Sequence, residues 1–134
     1  MRRHGTHCAG TIGGNNVGVA PSSNIYGLKV LDDFGSGYTE TIVAGLNKVL
    51  EDRMNAPARP MVVSMSLGGY CGSSCSSDAM IEAVEILSES NITVVVAAGN
   101  SADDACQYTP AGAASAVTVG ATDQYDAFAY YSSW

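Results

Sequence analysis

A chain of 134 residues is long enough for one domain, and 46% hydrophobic content places it among globular proteins. Its formal net charge of −7, with 6 Lys and Arg against 13 Asp and Glu, argues against a nucleic-acid partner, because phosphate binding needs clustered basic side chains. No run approaches the ~20 apolar residues of a membrane span, and the first residues carry no apolar signal region.

The predicted elements alternate between helix and strand. His4 to about Gly13 reads as a helix of small residues, suited to close packing. Asn24 to Leu31 reads as a strand, with Ile25, Tyr26, Leu28 and Val30 as its apolar members. Ser36 to about Arg53 repeats apolar residues at Ile42, Val43, Leu46, Val49 and Leu50, the 3.6-residue period of an amphipathic helix. Pro57 and Pro60 end it. Met61 to Ser66 is a buried strand, and Asp78 to about Ser90 is a second amphipathic helix through Met80, Ile81, Val84 and Leu87. Ile92 to Ala98 is apolar and β-branched almost throughout, as expected for a parallel strand covered on both faces. Ala116 to Ala121 supplies one more strand. Such alternation predicts an α/β fold, a parallel β-sheet with helices on both faces and ligands at the carboxyl ends of the strands.

Several segments stand out, in this order. His4-Gly5-Thr6-His7-Cys8-Ala9-Gly10-Thr11 opens the chain. Lys29 to Gly37 includes Gly35-Ser36-Gly37, then come Ser66-Leu67-Gly68-Gly69 and Ala97-Ala98-Gly99-Asn100. Tyr108-Thr109-Pro110-Ala111, Val119-Gly120-Ala121 and Tyr131-Ser132-Ser133 come last. Together they resemble the subtilisin-like serine proteases, and the cysteine after His7 resembles the proteinase K branch. The resemblance covers nearly the whole chain, residues 1–134, as the central part of a peptidase domain.

In that family the catalytic residues run Asp, His, Ser along the chain. No Asp-Thr-Gly precedes His4 and no Gly-Thr-Ser-Met-Ala comes after it, so the resemblance implies a chain holding one triad member and inactive alone. Arg2-Arg3 also stands where the family usually has a small residue. His4 would be the general base, a role that suits an imidazole titrating near neutrality. Without the motif it would read as a polar helix cap. Asn100 would donate its amide to the oxyanion, a task for a group that brings no titratable charge. On its own, Gly99-Asn100 reads as a turn at a strand end.

Gly35, Ser36 and Gly37 on one side, with Ser66, Leu67, Gly68 and Gly69 on the other, would offer backbone edges to an extended peptide. Leu67 with Ala98 and Gly99 would wall an apolar specificity pocket. Read without the family, these glycines are turn glycines. His4, His7 and Cys8 invite a zinc reading, but a zinc site needs three or four ligands and the chain has only two histidines. Cys8 is expected to pack beneath His4.

The four cysteines favour an oxidising compartment. A Cys71–Cys75 loop disulfide is plausible, and Cys106 is expected to find its mate beyond Trp134. The resemblance implies a secreted protein acting on peptide or protein substrates, a monomer when full-length, with no membrane partner. No cofactor is required for the chemistry. Ala114 and Ala116 match positions whose carbonyls hold a structural calcium in related proteases. Two other readings compete: a non-catalytic pseudoprotease that at most binds peptides, and a small nucleotide- or metal-binding α/β domain. The latter is disfavoured because no phosphate-binding glycine loop comes after a strand.

Overall fold

The structure, a computed structural model, describes residues 3–134. Met1 and Arg2, the latter the first of the arginine pair before His4, lie outside the described residues. The chain divides between Gly45 and Leu46 into two compact units.

The first unit opens with α1, His4–Gly13, the predicted helix. Arg3 precedes it without a side-chain cap, and the last turn closes through the Gly14 N–H on the Gly10 carbonyl at 2.9 Å. The chain then folds back, with the Val19 and Ala20 N–H groups on the Thr11 and Ile12 carbonyls. Gly13 permits this path, since a Cβ there would lie 2.6 Å from Ile25 Cδ1. Residues 24–31 do not form the predicted strand. Ile25, Tyr26 and Leu28 are 43%, 77% and 47% exposed, and no described strand pairs with this segment. Alternating apolar residues create a face, but a strand exists only through ladder hydrogen bonds, and none form here.

The second helix, α2, spans Thr39–Asn55 and crosses the boundary between the units. Glu40 in its first turn and Arg53 in its last complement the helix dipole. Arg53 also fixes the turn after the helix, donating to the carbonyls of Pro57 at 2.6 Å, Arg59 at 2.9 Å and Ser90 at 3.0 Å.

In the second unit β1 (Val62–Met65), β3 (Thr93–Ala97) and β5 (Val117–Val119) form a three-stranded parallel sheet in the order β1-β3-β5. Met65 pairs with Val96, and Ala97 with Val119. Helix α3, Ala79–Glu89, buries Met80, Ala83, Val84 and Leu87, a stripe at i, i+3, i+4 and i+7, and packs on β3. On β3 only Val94 and Val96 are fully buried, whereas Thr93 and Ala97 are exposed. Val95 between them is half-buried, so burial alternates along the strand. A short antiparallel pair, β2 (Gly69–Tyr70) with β4 (Tyr108–Thr109), stands apart from the sheet.

Asp78 joins these parts. Its Oδ1 caps α3 by accepting the Met80 N–H at 2.9 Å and the Ile81 N–H at 3.4 Å. The same oxygen accepts the hydroxyl of Thr109, a buried residue, at 2.6 Å. Asp78→Ala removes the cap and leaves that hydroxyl unpaired, at an expected cost of ~1–3 kcal/mol. Urea denaturation monitored by circular dichroism reads this loss, and Asp78→Asn, which keeps an acceptor oxygen, should recover most of it.

Candidate active site

In the first unit, His4 is exposed at the start of α1. One helical turn on, Cys8 Sγ lies 3.8 Å from His4 Nε2 and is half-buried, so the thiol sits against the imidazole. His7 is exposed, and its carbonyl accepts the Thr11 hydroxyl at 3.2 Å. Among the described residues no three His, Cys, Asp or Glu side chains converge on a metal position.

The Gly35-Ser36-Gly37 segment is shaped by Asp32. Asp32 Oδ1 accepts the N–H groups of Phe34 and Ser36, each at 2.9 Å, and its own N–H donates to the Ser36 carbonyl at 2.7 Å. Gly35 takes φ +86°, and a Cβ on Gly37 would lie 2.5 Å from the Val30 carbonyl oxygen. Both positions need glycine. An open groove of about 430 Å³ runs along Lys29–Asp32, Ser36–Tyr38 and Thr41. The Ser36 N–H, with those of Phe34 and Gly35 and the charge of Lys29, holds the Asp32 carboxyl below its usual range.

In the second unit, parallel register brings the carboxyl ends of β1 and β3 to one end of the sheet. Ser66 to Gly69 leaves the first end and Ala98 to Asn100 the second. A cleft of about 240 Å³ there is bordered by Ser64, Ser66, Ala97 and Val119. Ser66 and Gly68 are exposed and Leu67 is half-buried. Gly69 is paired with Thr109, and a Cβ on Gly68 would meet the Thr109 carbonyl oxygen at 2.7 Å. One edge of this short segment is thus already occupied. Tyr70 stacks edge-on against Tyr108, with ring centroids 5.4 Å apart.

Ala98 donates its N–H to the Val119 carbonyl at 2.9 Å and is committed to a cluster with Ala105 and Ala111. Gly99 turns the chain at φ +110°, leaving Asn100 exposed. Ser132 and Ser133, to which the sequence pattern gives no role, are fully buried, Ser133 against this turn and Ser132 against Gly120 and Ala121. Ser133 N–H donates to the Gly99 carbonyl at 3.0 Å, and Ser133 Oγ accepts the Ser101 N–H at 3.3 Å. Two exposed-type residues buried by backbone partners leave no periodic signal. The Tyr131-Ser132-Ser133 stretch stands out in the sequence only through the family resemblance, which attaches no role to either serine.

Cys71 and Cys75 form a disulfide with Cα atoms 4.9 Å apart, across the 3₁₀ turn Gly72–Ser77. Cys106 is an exposed free thiol. The Asp104 carboxylate beside it, by hydrogen bond and by charge, pushes its pKa up. Ala114 and Ala116 lie just after the turn closed by the Ala113 N–H on the Pro110 carbonyl. Glu85 turns its carboxylate to the Ser115 N–H between them at 3.2 Å. These donors do not amount to a calcium site by themselves, since two carbonyls fall short of the six to eight oxygens that ion takes.

Residues 1–134 match the Subtilase family. Proteinase R from Parengyodontium album is 46% identical over 132 residues, covering 98% of this chain and 33% of the relative. An extracellular serine proteinase from Thermus sp. is 44% identical over 131 residues, 98% of this chain and 30% of the relative. The crystal structure of a cold adapted subtilisin-like serine proteinase superposes with a TM-score of 0.86 at 44% identity, covering 98% of this chain and 45% of that one. The fold is that of the subtilisin-like α/β proteins. The chain belongs to the Subtilase family, and it spans about a third of the length of the curated relatives it matches.

Two charged contacts lend themselves to direct measurement. Because Asp32 titrates below its ordinary value of 3.8, the order it gives the 32–36 loop is full above that value. It is lost as pH falls through the lowered pKa. Amide shifts of Phe34 and Ser36 should titrate together below that value, and Asp32→Asn should abolish the transition. Asp104→Asn keeps an acceptor for the Cys106 N–H but removes the charge. Alkylation of Cys106 at pH 8 should therefore quicken several-fold.

Proposed function

We propose that this chain is the central portion of a subtilisin-like serine endopeptidase, contributing the general base and the oxyanion-stabilising amide. His4 would take the proton from a serine hydroxyl and return it to the leaving amine, with a buried carboxylate orienting the ring. A helix N-terminus disfavours the imidazolium, so that carboxylate is needed for charge as well as orientation. Both partners would come from polypeptide other than these residues. Asn100 would donate to the oxygen of the tetrahedral intermediate.

The Gly35–Gly37 and Ser66–Gly69 segments would bind substrate through its main chain. Leu67 and Gly99 would favour apolar or aromatic residues before the cut. Secretion is part of the proposal, in keeping with the relative named as extracellular. Among the described residues no helix is long and apolar enough to cross a membrane. The whole protein would act as a monomer and need no cofactor for its chemistry, and the Ala114 and Ala116 carbonyls would serve a structural calcium completed elsewhere. The observation that carries the proposal is the family match over residues 1–134, with His4 opening α1 and Asn100 lying just past the carboxyl end of β3.

Residues 1–134 grafted into proteinase R in place of its matching segment provide the test. The chimaera should hydrolyse a peptide substrate. His4→Ala should lower turnover by ~10⁶ and Asn100→Ala by ~10²–10³ with KM little changed, both magnitudes being those of subtilisin. A folded chimaera that binds peptide without cutting it would favour the pseudoprotease reading. The 134-residue chain alone should hydrolyse nothing, and activity lost with His4→Ala would contradict that.

A further inference from the structure

We infer that Ser133 is a positioning residue for Asn100, acting on both peptide groups that flank it. This rests on the reading of Asn100 as the oxyanion donor. The Ser133 N–H holds the Gly99 carbonyl at 3.0 Å, in the peptide before Asn100. Its Oγ holds the Ser101 N–H at 3.3 Å, in the peptide after it. Peptide groups are planar and stiff, so fixing both planes sets φ and ψ of Asn100 and with them the direction of its Cα–Cβ bond. The carboxamide takes no part in either bond, and Asn100 itself is exposed, so the amide is aimed without being consumed.

Ser133 can hold this position because it is itself held. It is 0% exposed, and its carbonyl accepts the Ser132 hydroxyl at 2.9 Å. Ser132 Oγ in turn accepts the Ala121 N–H at 2.8 Å, just beyond β5. Residues on both sides are tied to the same loop, through Ala102 N–H to the Tyr131 carbonyl at 3.0 Å and Ala105 N–H to the Trp134 carbonyl at 2.8 Å. Position 99 must be glycine for the approach, because φ is +110° and a Cβ would lie 3.2 Å from Ser133 Oγ. The Ser133 hydroxyl thus secures the turn on the far side of Asn100 from β3.

The test compares Ser133→Thr with Ser133→Val, which add the same bulk and differ in keeping or losing the oxygen. Read by NMR on the proteinase R chimaera, Ser133→Val should speed hydrogen exchange at the Ser101 amide roughly ten-fold, the loss of about one hydrogen bond. The Asn100 side-chain NH₂ should gain mobility in its heteronuclear NOE. Ser133→Thr should restore both. Unchanged Val94 and Val96 amides report that β3 is intact, and if the Val variant loses them, Ser133→Ala takes its place in the comparison. Identical Ser101 exchange and Asn100 mobility in Val and wild type, or a Thr variant behaving like Val, would overturn the inference. The readout is loop order, so it is separate from the catalytic reading. If Asn100→Ala leaves turnover of the chimaera unchanged, that reading falls while the geometric role of Ser133 stands or falls on the NMR result.

Discussion

The ladder on both edges of β3 is the constraint on which the second unit depends. β1 on one side and β5 on the other hold it in parallel register, while Val94 and Val96 are buried at 1% and 2% exposure. A strand fixed on both edges and one face can leave the sheet in only one direction. Ala98 continues that register with one further bond to Val119, and Gly99 turns the chain out immediately afterwards. Asn100 comes directly after the strand that is paired on both edges, which would give rigid support to the oxyanion donor proposed above.

Rigidity on the other side of Asn100 comes from polar contacts. Burying two serine hydroxyls is costly unless each is bonded, and each is: Ser132 to Ala121 and Ser133, and Ser133 to Ser101. The apolar contribution here is small, a cluster of Ala98, Ala105 and Ala111 with Tyr108 against it. Small side chains let backbones approach closely enough for such bonds. Asp78 works in the same way at the helix end, tying α3 to β4 through one carboxylate oxygen. Burial is concentrated on β3, and the loops around the carboxyl end of the sheet are set by hydrogen bonds.

That division explains what could be read in advance. Helices α1 and α3, and strands β1, β3 and β5, fall within a few residues of expectation; apolar periodicity and burial determine α3 and β3, whereas α1 and β5 bury no residue. α2 begins at Thr39 rather than Ser36, since the Ser36 carbonyl, which a helix starting there would use, accepts the Asp32 N–H at 2.7 Å instead. Residues 24–31 misled because their apolar pattern is real while ladder partners are absent among the described residues, and partners are a property of the rest of the sheet. β2 and β4 are two residues each, too short for any period. His4 and Asn100 were singled out by their flanking motifs rather than by composition. Ser133 was not, because its role depends on a turn 34 positions away in sequence, 133 against 99.

A crystal structure of the proteinase R chimaera with a peptide boronate bonded to its serine would address the central claim directly. The predicted result is the Asn100 amide nitrogen 2.7–3.1 Å from the boronate oxygen that stands for the oxyanion. The His4 imidazole should be within hydrogen-bonding reach of the serine oxygen. A boronate oxygen stabilised by other donors, with Asn100 turned to solvent, would contradict the account.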